Sequence, residues 1–254
     1  MATYKKRGGK PNTKVEKIEQ IEDESTTAEV FSSLDEGASR TEAWVEKNQK
    51  AILIIVGVIA LSVLGYLGFQ KFIQEPKEVE AMNEMFQAQS YYEQALSATS
   101  KDSLFNLSLT GGEGKFGLID IIDNYGGTNA ANLANYYAGI AYLNTGKYQE
   151  AIKHLDVFKA NDKNVAPIAK GAIGDAFAQL NQQDDALKYY ESAATMSKSE
   201  LTAPMFLLKA GITAMSLGKK DVALKHFKAI TTNYPKSSEA SKAILYEGKA
   251  EAMK

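Results

Sequence analysis

The chain has 254 residues, 29 Lys and Arg against 31 Asp and Glu, and a formal net charge of −2 at pH 7. At 44% hydrophobic and 24% charged residues its composition is that of an ordinary globular protein. It contains no cysteine, which excludes disulfides, thiol catalysis and cysteine-ligated metals and is compatible with an oxidising compartment.

Residues 1–46 read as a polar, largely disordered tail. The opening MATYKKRGGKPNTK is basic, carries Gly and Pro, and has no apolar period. Such a tract can bind nucleic acid or anionic lipid. The plainer reading is a topogenic, solubilising tail, and no nucleic-acid partner is expected. Val15, Ile18 and Ile21 mark a short amphipathic turn that the Ser-Thr-Thr at 25–27 interrupts. Trp44 sits where an interfacial aromatic anchor would lie.

From Ala51 to Phe69 (AILIIVGVIALSVLGYLGF) nineteen residues pass without a charge, between Lys50 and Lys71. As a helix this run covers roughly 28 Å, the thickness of a bilayer's hydrocarbon core. A buried core helix is the alternative, but only Ser62 and Tyr66 are even mildly polar here. Residues 47–72 are therefore expected to form a single transmembrane helix in contact with the bilayer. A cleaved signal would begin nearer the N-terminus and end in a small-x-small site, which QKFIQEPKEVE does not offer. Gly57, Ala60, Gly65 and Gly68 fall on one face, where another membrane helix can pack closely. Nine basic residues precede the run, and the loop beyond it is a whole domain. Positive-inside bias then puts the N-terminus in the cytoplasm and the C-terminal domain on the far side.

Residues 73–128 read as a membrane-proximal helix, Pro76 to Ala98, followed by a Gly-rich insertion, LTGGEGKFGLIDIIDNYGGT at 109–128. The segment AQSYYEQA (88–95) has the look of the second helix of a degenerate repeat. The Gly clusters of the insertion bracket one short helix, Phe116 to Asn124. Residues 129–254 are self-similar. Ala138-Gly139, Tyr142, Gly146, Tyr148, Ala151 and Leu155 are echoed by Ile173-Gly174, Phe177, Asn181, Ala186 and Tyr190, and again by Ala210-Gly211, Ala214, Gly218, Ala223, Phe227 and Pro235.

That order and spacing resemble the tetratricopeptide repeat, a pair of antiparallel helices of about 34 residues. The usual early Trp is missing, and Ala214 replaces a large ring in the third unit. The fold expected is all-α: one transmembrane helix, then a solenoid of three repeats, with 237–254 as a capping helix started by Ser237.

The chemistry of a catalyst is not visible. His154 and His226 occupy the same position of their units, where the middle unit has Tyr189; that placement marks them as helix-face residues. Gly-Glu-Gly-Lys at 112–115 has Phe116 where a phosphate loop needs Ser or Thr. Asp120 and Asp123 read as a solvated pair. No enzyme activity, cofactor or metal is expected. The repeat resemblance implies a concave protein-binding groove lined by Leu133, Tyr136, Ile140 and Leu143, then Ile168, Asp175 and Gln179, then Met205, Leu208, Ile212 and Met215. Tyr136, Ile140 and Gly171 stand where a carboxylate clamp would need polar residues. An apolar, Met-containing groove suits a helix or an unfolded segment; alternatively the capping helix or the insertion fills it.

Across residues 40–254 the layout, with TEAWVEKNQKAILIIVGVIALSVLGYLGFQKF at its head, resembles the YfgM-type ancillary subunits of the bacterial Sec translocon. The resemblance implies an inner-membrane anchor, a periplasmic repeat domain, and partners among translocon components, a periplasmic chaperone or prolyl isomerase, or nascent polypeptide. A scaffold for another envelope secretion or outer-membrane biogenesis complex is the competing expectation.

Overall fold

A computed structural model describes residues 26–196 and 198–253, with side chains described from residue 41 onward. The basic opening tract and the Val15–Ile18–Ile21 turn lie outside the described residues. The chain divides into two compact bodies, Met1–Phe69 and Gln70–Lys254.

In the first body, helix α1 runs Thr26–Phe69. It therefore takes in part of the stretch 1–46 expected as a disordered tail and begins well ahead of residue 47. The reason is local. The stretch from Thr41 to Lys50 holds Ala, Glu and Lys, all good helix formers, and lengthening an existing helix avoids a second nucleation step. Leu53, Ile54, Leu61, Leu64 and Leu67 are each more than half exposed. Polar groups bond within the helix: Ser62 Oγ donates to the Val58 carbonyl (2.8 Å), and Asn48 Nδ2 to that of Trp44 (2.7 Å). Hydrocarbon surroundings would require that economy. One helical stretch among the described residues, Thr41–Ser97, is long and apolar enough to cross a membrane. A Cβ built on Gly57, Gly65 or Gly68 meets nothing within 4 Å, so their face, with exposed Ala60, is open.

The second body is built from helices joined by short turns, and no strand occurs among its described residues. A π-helical turn, Gln70–Gln74, leads to α2 (Glu75–Ser97), α3 (Lys101–Thr110) and the short α4 (Leu118–Asn124). Three helix pairs follow: α5 (Asn129–Asn144) with α6 (Tyr148–Val157), α7 (Val165–Gln179) with α8 (Gln183–Met196), and α9 (Thr202–Ser216) with α10 (Lys220–Asn233). Helix α11 (Ala240–Glu251) closes the stack. The stretches 73–128 and 129–254, expected as separate segments, lie in this one body, because α3, α4 and α5 share a core with α2.

Close packing within each pair depends on one glycine. A Cβ on Gly139 would overlap Leu155, on Gly174 the ring of Tyr190, and on Gly211 the ring of Phe227. The first helix of each unit thus presses its backbone against a large side chain of the second. The turn between the two helices uses a left-handed residue each time, Gly146 (φ 75°), Asn181 (φ 60°) and Gly218 (φ 70°).

Four details differ from the sequence reading. Residues 88–95 do not close a unit; they lie in α2, which leads a pair with α3. Phe116 stays outside the short helix, since Gly117 is its N-cap. Asp120 is not part of a solvated pair: its carboxylate accepts the Gly117 N–H at 2.9 Å and satisfies an otherwise orphan donor. Ser237 does not cap α11. It sits in a turn whose carbonyl accepts from Ala240 N (3.2 Å), with Glu239 at the N-cap.

Candidate functional site: the inter-repeat cleft

The first helices of the three units, α5, α7 and α9, carry the eleven groove positions. Most of their apolar side chains are drawn into the stack. Tyr136, Ile140 and Leu143 pack with Phe158 and Phe177 around Leu155, Ala169, Ala172 and Ile173. Leu133 and Ile140 also touch the α2–α5 core. Ile168, Met205 and Met215 lie against the core of the last two units, and Leu208 is only 8% exposed. Gln179 and Ile212 remain exposed, the latter at 37%. These side chains are apolar, but their area is spent on holding one repeat to the next.

A pocket of ≈ 360 Å³ opens on this surface, lined by Leu143, Tyr148, Asp175, Ala178, Gln179, Tyr190 and Lys209. Its centre is polar. Lys209 Nζ donates to both carboxylate oxygens of Asp175 (2.6 and 2.8 Å), and the Tyr190 hydroxyl donates to Asp175 Oδ1 (2.7 Å). The same ammonium lies 5.6 Å from the Tyr190 ring centroid and 5.9 Å from that of Phe206, which fixes it by cation–π attraction as well as by charge. Burial, followed by the Asp175 charge, pushes the Tyr190 hydroxyl far above the ordinary tyrosine range, so it stays a donor. Where a carboxylate clamp would require a polar residue, Gly171 instead makes room for the Phe206 ring.

Tyr148, Ala178, Tyr190 and Lys209 were absent from the groove read off the sequence. Lys209 had a legible signal: it carries the opposite charge and lies 34 residues after Asp175, close to the repeat interval. That is about one helical turn short of the 37 residues between Gly174 and Gly211, so the two charges meet across the first helices of neighbouring units with a one-turn stagger. A similar offset recurs in Lys219 with Asp184 (2.6 Å), His226 with Glu191 (2.8 Å) and Ser199 with Asn164 (2.9 Å), each 35 apart.

The histidines have structural surroundings. His154 is buried, stacks on Tyr142 at 5.4 Å and has Nδ1 2.9 Å from Asn135 Oδ1. Burial, with Lys153 nearby, lowers its pKa despite Glu150 and Asp123. His226 is equally enclosed, and Tyr189 at their equivalent position stacks on Phe177 at 5.2 Å. Among the described residues no three His, Asp or Glu side chains come together as a metal site would need.

Helical pairs of this length, stacked in one register with a glycine under a large side chain in each, define a tetratricopeptide solenoid. Residues 136–200 and 206–237 each match the tetratricopeptide repeat. No curated protein matches the chain. A stack of such repeats is a scaffold for protein–protein contacts.

Proposed function

We propose that this protein is a membrane-anchored adaptor that presents its repeat domain at the periplasmic face of the Sec translocon, where it holds a chaperone, a prolyl isomerase or an emerging chain. One observation carries the proposal. A charge-free helix whose large side chains find no core to enter, Leu53 to Leu67, precedes a repeat stack with an open cleft. Lipid supplies the missing apolar surroundings for the first. A protein ligand supplies the missing contact for the second. The polar centre of the cleft, Asp175 with Lys209 and Tyr190, favours a ligand that offers both a hydrogen-bonding group and an apolar side chain for Leu143 and Ala178.

The topology test uses the cysteine-free background. Ser238 is exposed, whereas the Ser237 hydroxyl is buried, so Ser238→Cys is the labelling site. In cells with a permeabilised outer membrane, a membrane-impermeant maleimide is expected to label it without lysis. Protection until lysis would sink the periplasmic reading. The intact protein, isolated in mild detergent, is expected to bring Sec channel subunits with it, and photo-crosslinkers placed at Gly57 or Gly65 should name the neighbouring helix. Crosslinks only to subunits of a different envelope complex would move the scaffold there.

A further inference from the structure

The end of the stack repeats the interior pattern with one part uncovered. Gly248 follows Gly211 by 37 residues, the distance that separates Gly211 from Gly174. Helix α11 packs against α10 and α9, as α9 packs against α8 and α7, and Tyr246 stacks on Phe227 at 5.8 Å. It thus stands as the first helix of a fourth unit. In the three complete units the equivalent glycine lies under Leu155, Tyr190 or Phe227 of a second helix. At Gly248 an added Cβ meets nothing within 4 Å. Beside it, Ile244 is 64% and Leu245 58% exposed. Among the described residues no second helix covers α11, which turns outward two large aliphatic side chains and a bare backbone groove, where a helix that only shields a solenoid would show a polar face.

We propose that this face of α11 is a docking seat for one amphipathic helix of a partner protein, which completes the fourth unit in trans. The interior units state the chemistry of the occupant. Each second helix carries Ala followed four residues later by a large side chain: Ala151 and Leu155, Ala186 and Tyr190, Ala223 and Phe227, all buried. The docking helix runs antiparallel to α11 and sets such a Leu, Tyr or Phe on Gly248, with further apolar residues over Ile244 and Leu245. At 100° per residue, exposed Lys242 and Lys249 flank the seat on one side, which favours acidic residues along that edge of the partner. A second copy of α11 is a poor occupant, because antiparallel self-pairing would set each copy's Lys242 and Lys249 against their counterparts.

The probe is a fluorescein-labelled peptide of residues 182–196 of this chain, which has the Ala186–Tyr190 pair and the acidic residues Asp184, Asp185 and Glu191. Full-length protein in detergent micelles is expected to raise its anisotropy saturably. Gly248→Leu, which has room in the fold, should weaken binding at least tenfold while the thermal transition is kept, and a Y190A peptide should lose binding to the same extent. No saturable binding, or binding that Gly248→Leu leaves unchanged, overturns the seat. Self-association in sedimentation velocity that Gly248→Leu abolishes would assign the face to a second copy and overturn the foreign helix. Gly248 lies on a different helix from the Asp175 pocket, so Gly248→Leu leaves cleft binding intact and the two readings can fail separately.

Discussion

At the scale of single residues, the same residue type has opposite consequences at equivalent positions. Gly211 lies under the Phe227 ring, whereas Gly248 faces open space. Gly211→Ala must push an aromatic ring in a close-packed core and is expected to cost about 1–3 kcal/mol. Gly248→Ala meets nothing and gains helix propensity of up to about 1 kcal/mol. Urea titrations of the two variants should move their midpoints in opposite directions; a shared direction would contradict the close-approach argument. His154 gives the second residue-scale prediction. Its folded pKa is lowered, chiefly by burial, so the unfolded chain takes up the proton first as pH falls. Stability is full above the unfolded value, near 6.5, and is lost as pH drops through the folded one. The thermal midpoint should fall between pH 7 and 5, and His154→Phe should flatten that part of the profile.

Between elements, α2 is fastened to the start of α5, whose own N-cap is joined by a carboxylate that reaches across from α2. Thr128 Oγ1 accepts the Ala131 N–H at 3.0 Å, and the Glu78 carboxylate accepts those of Asn129 (2.7 Å) and Ala130 (2.8 Å). Tyr125 Oη donates to Glu80 at 3.1 Å in the same corner. The first-turn donors of α5 are thereby satisfied from two directions, with the carboxylate at the positive end of the helix dipole. Thr128→Ala should cost about 1 kcal/mol, and Glu78→Gln should add a loss that shrinks in high salt. This corner was not readable in the chain, because its partners lie some fifty residues apart and no periodicity links Glu78 to Asn129. What was readable has a period. The three helix pairs, their glycines and the turn residues Gly146, Asn181 and Gly218 repeat because every unit solves the same packing problem. The cleft was half legible: Asp175 follows from its position, but Lys209 lies one turn short of the repeat interval and emerges only when charges on neighbouring units are compared. Tyr190 belongs to a second helix, and only the three-dimensional stack brings it to the Asp175 carboxylate.

For the whole repeat domain, energy is passed from neighbour to neighbour, so damage at one junction should stay local. The junction between the last two units rests on the Phe206 ring in the slot left by Gly171, reinforced by the inter-unit pairs Asp175–Lys209, Asp184–Lys219 and Glu191–His226. The two lysine–carboxylate pairs are partly exposed and worth little singly, on the order of 1 kcal/mol or less. Phe206 is buried, and its truncation to Ala leaves a cavity expected to cost about 3–5 kcal/mol. That loss falls on an interface, so the final unit should loosen before the domain melts. Amide exchange in the Phe206→Ala protein is expected to accelerate across α9, α10 and α11, while α2 to α6 keep their protection. An even loss of protection over all helices would show that the body folds as a single cooperative block. Local loosening would also carry the α11 seat with it, so a partner helix docked at Gly248 should slow exchange throughout α9–α11 in the wild-type protein by the same nearest-neighbour coupling.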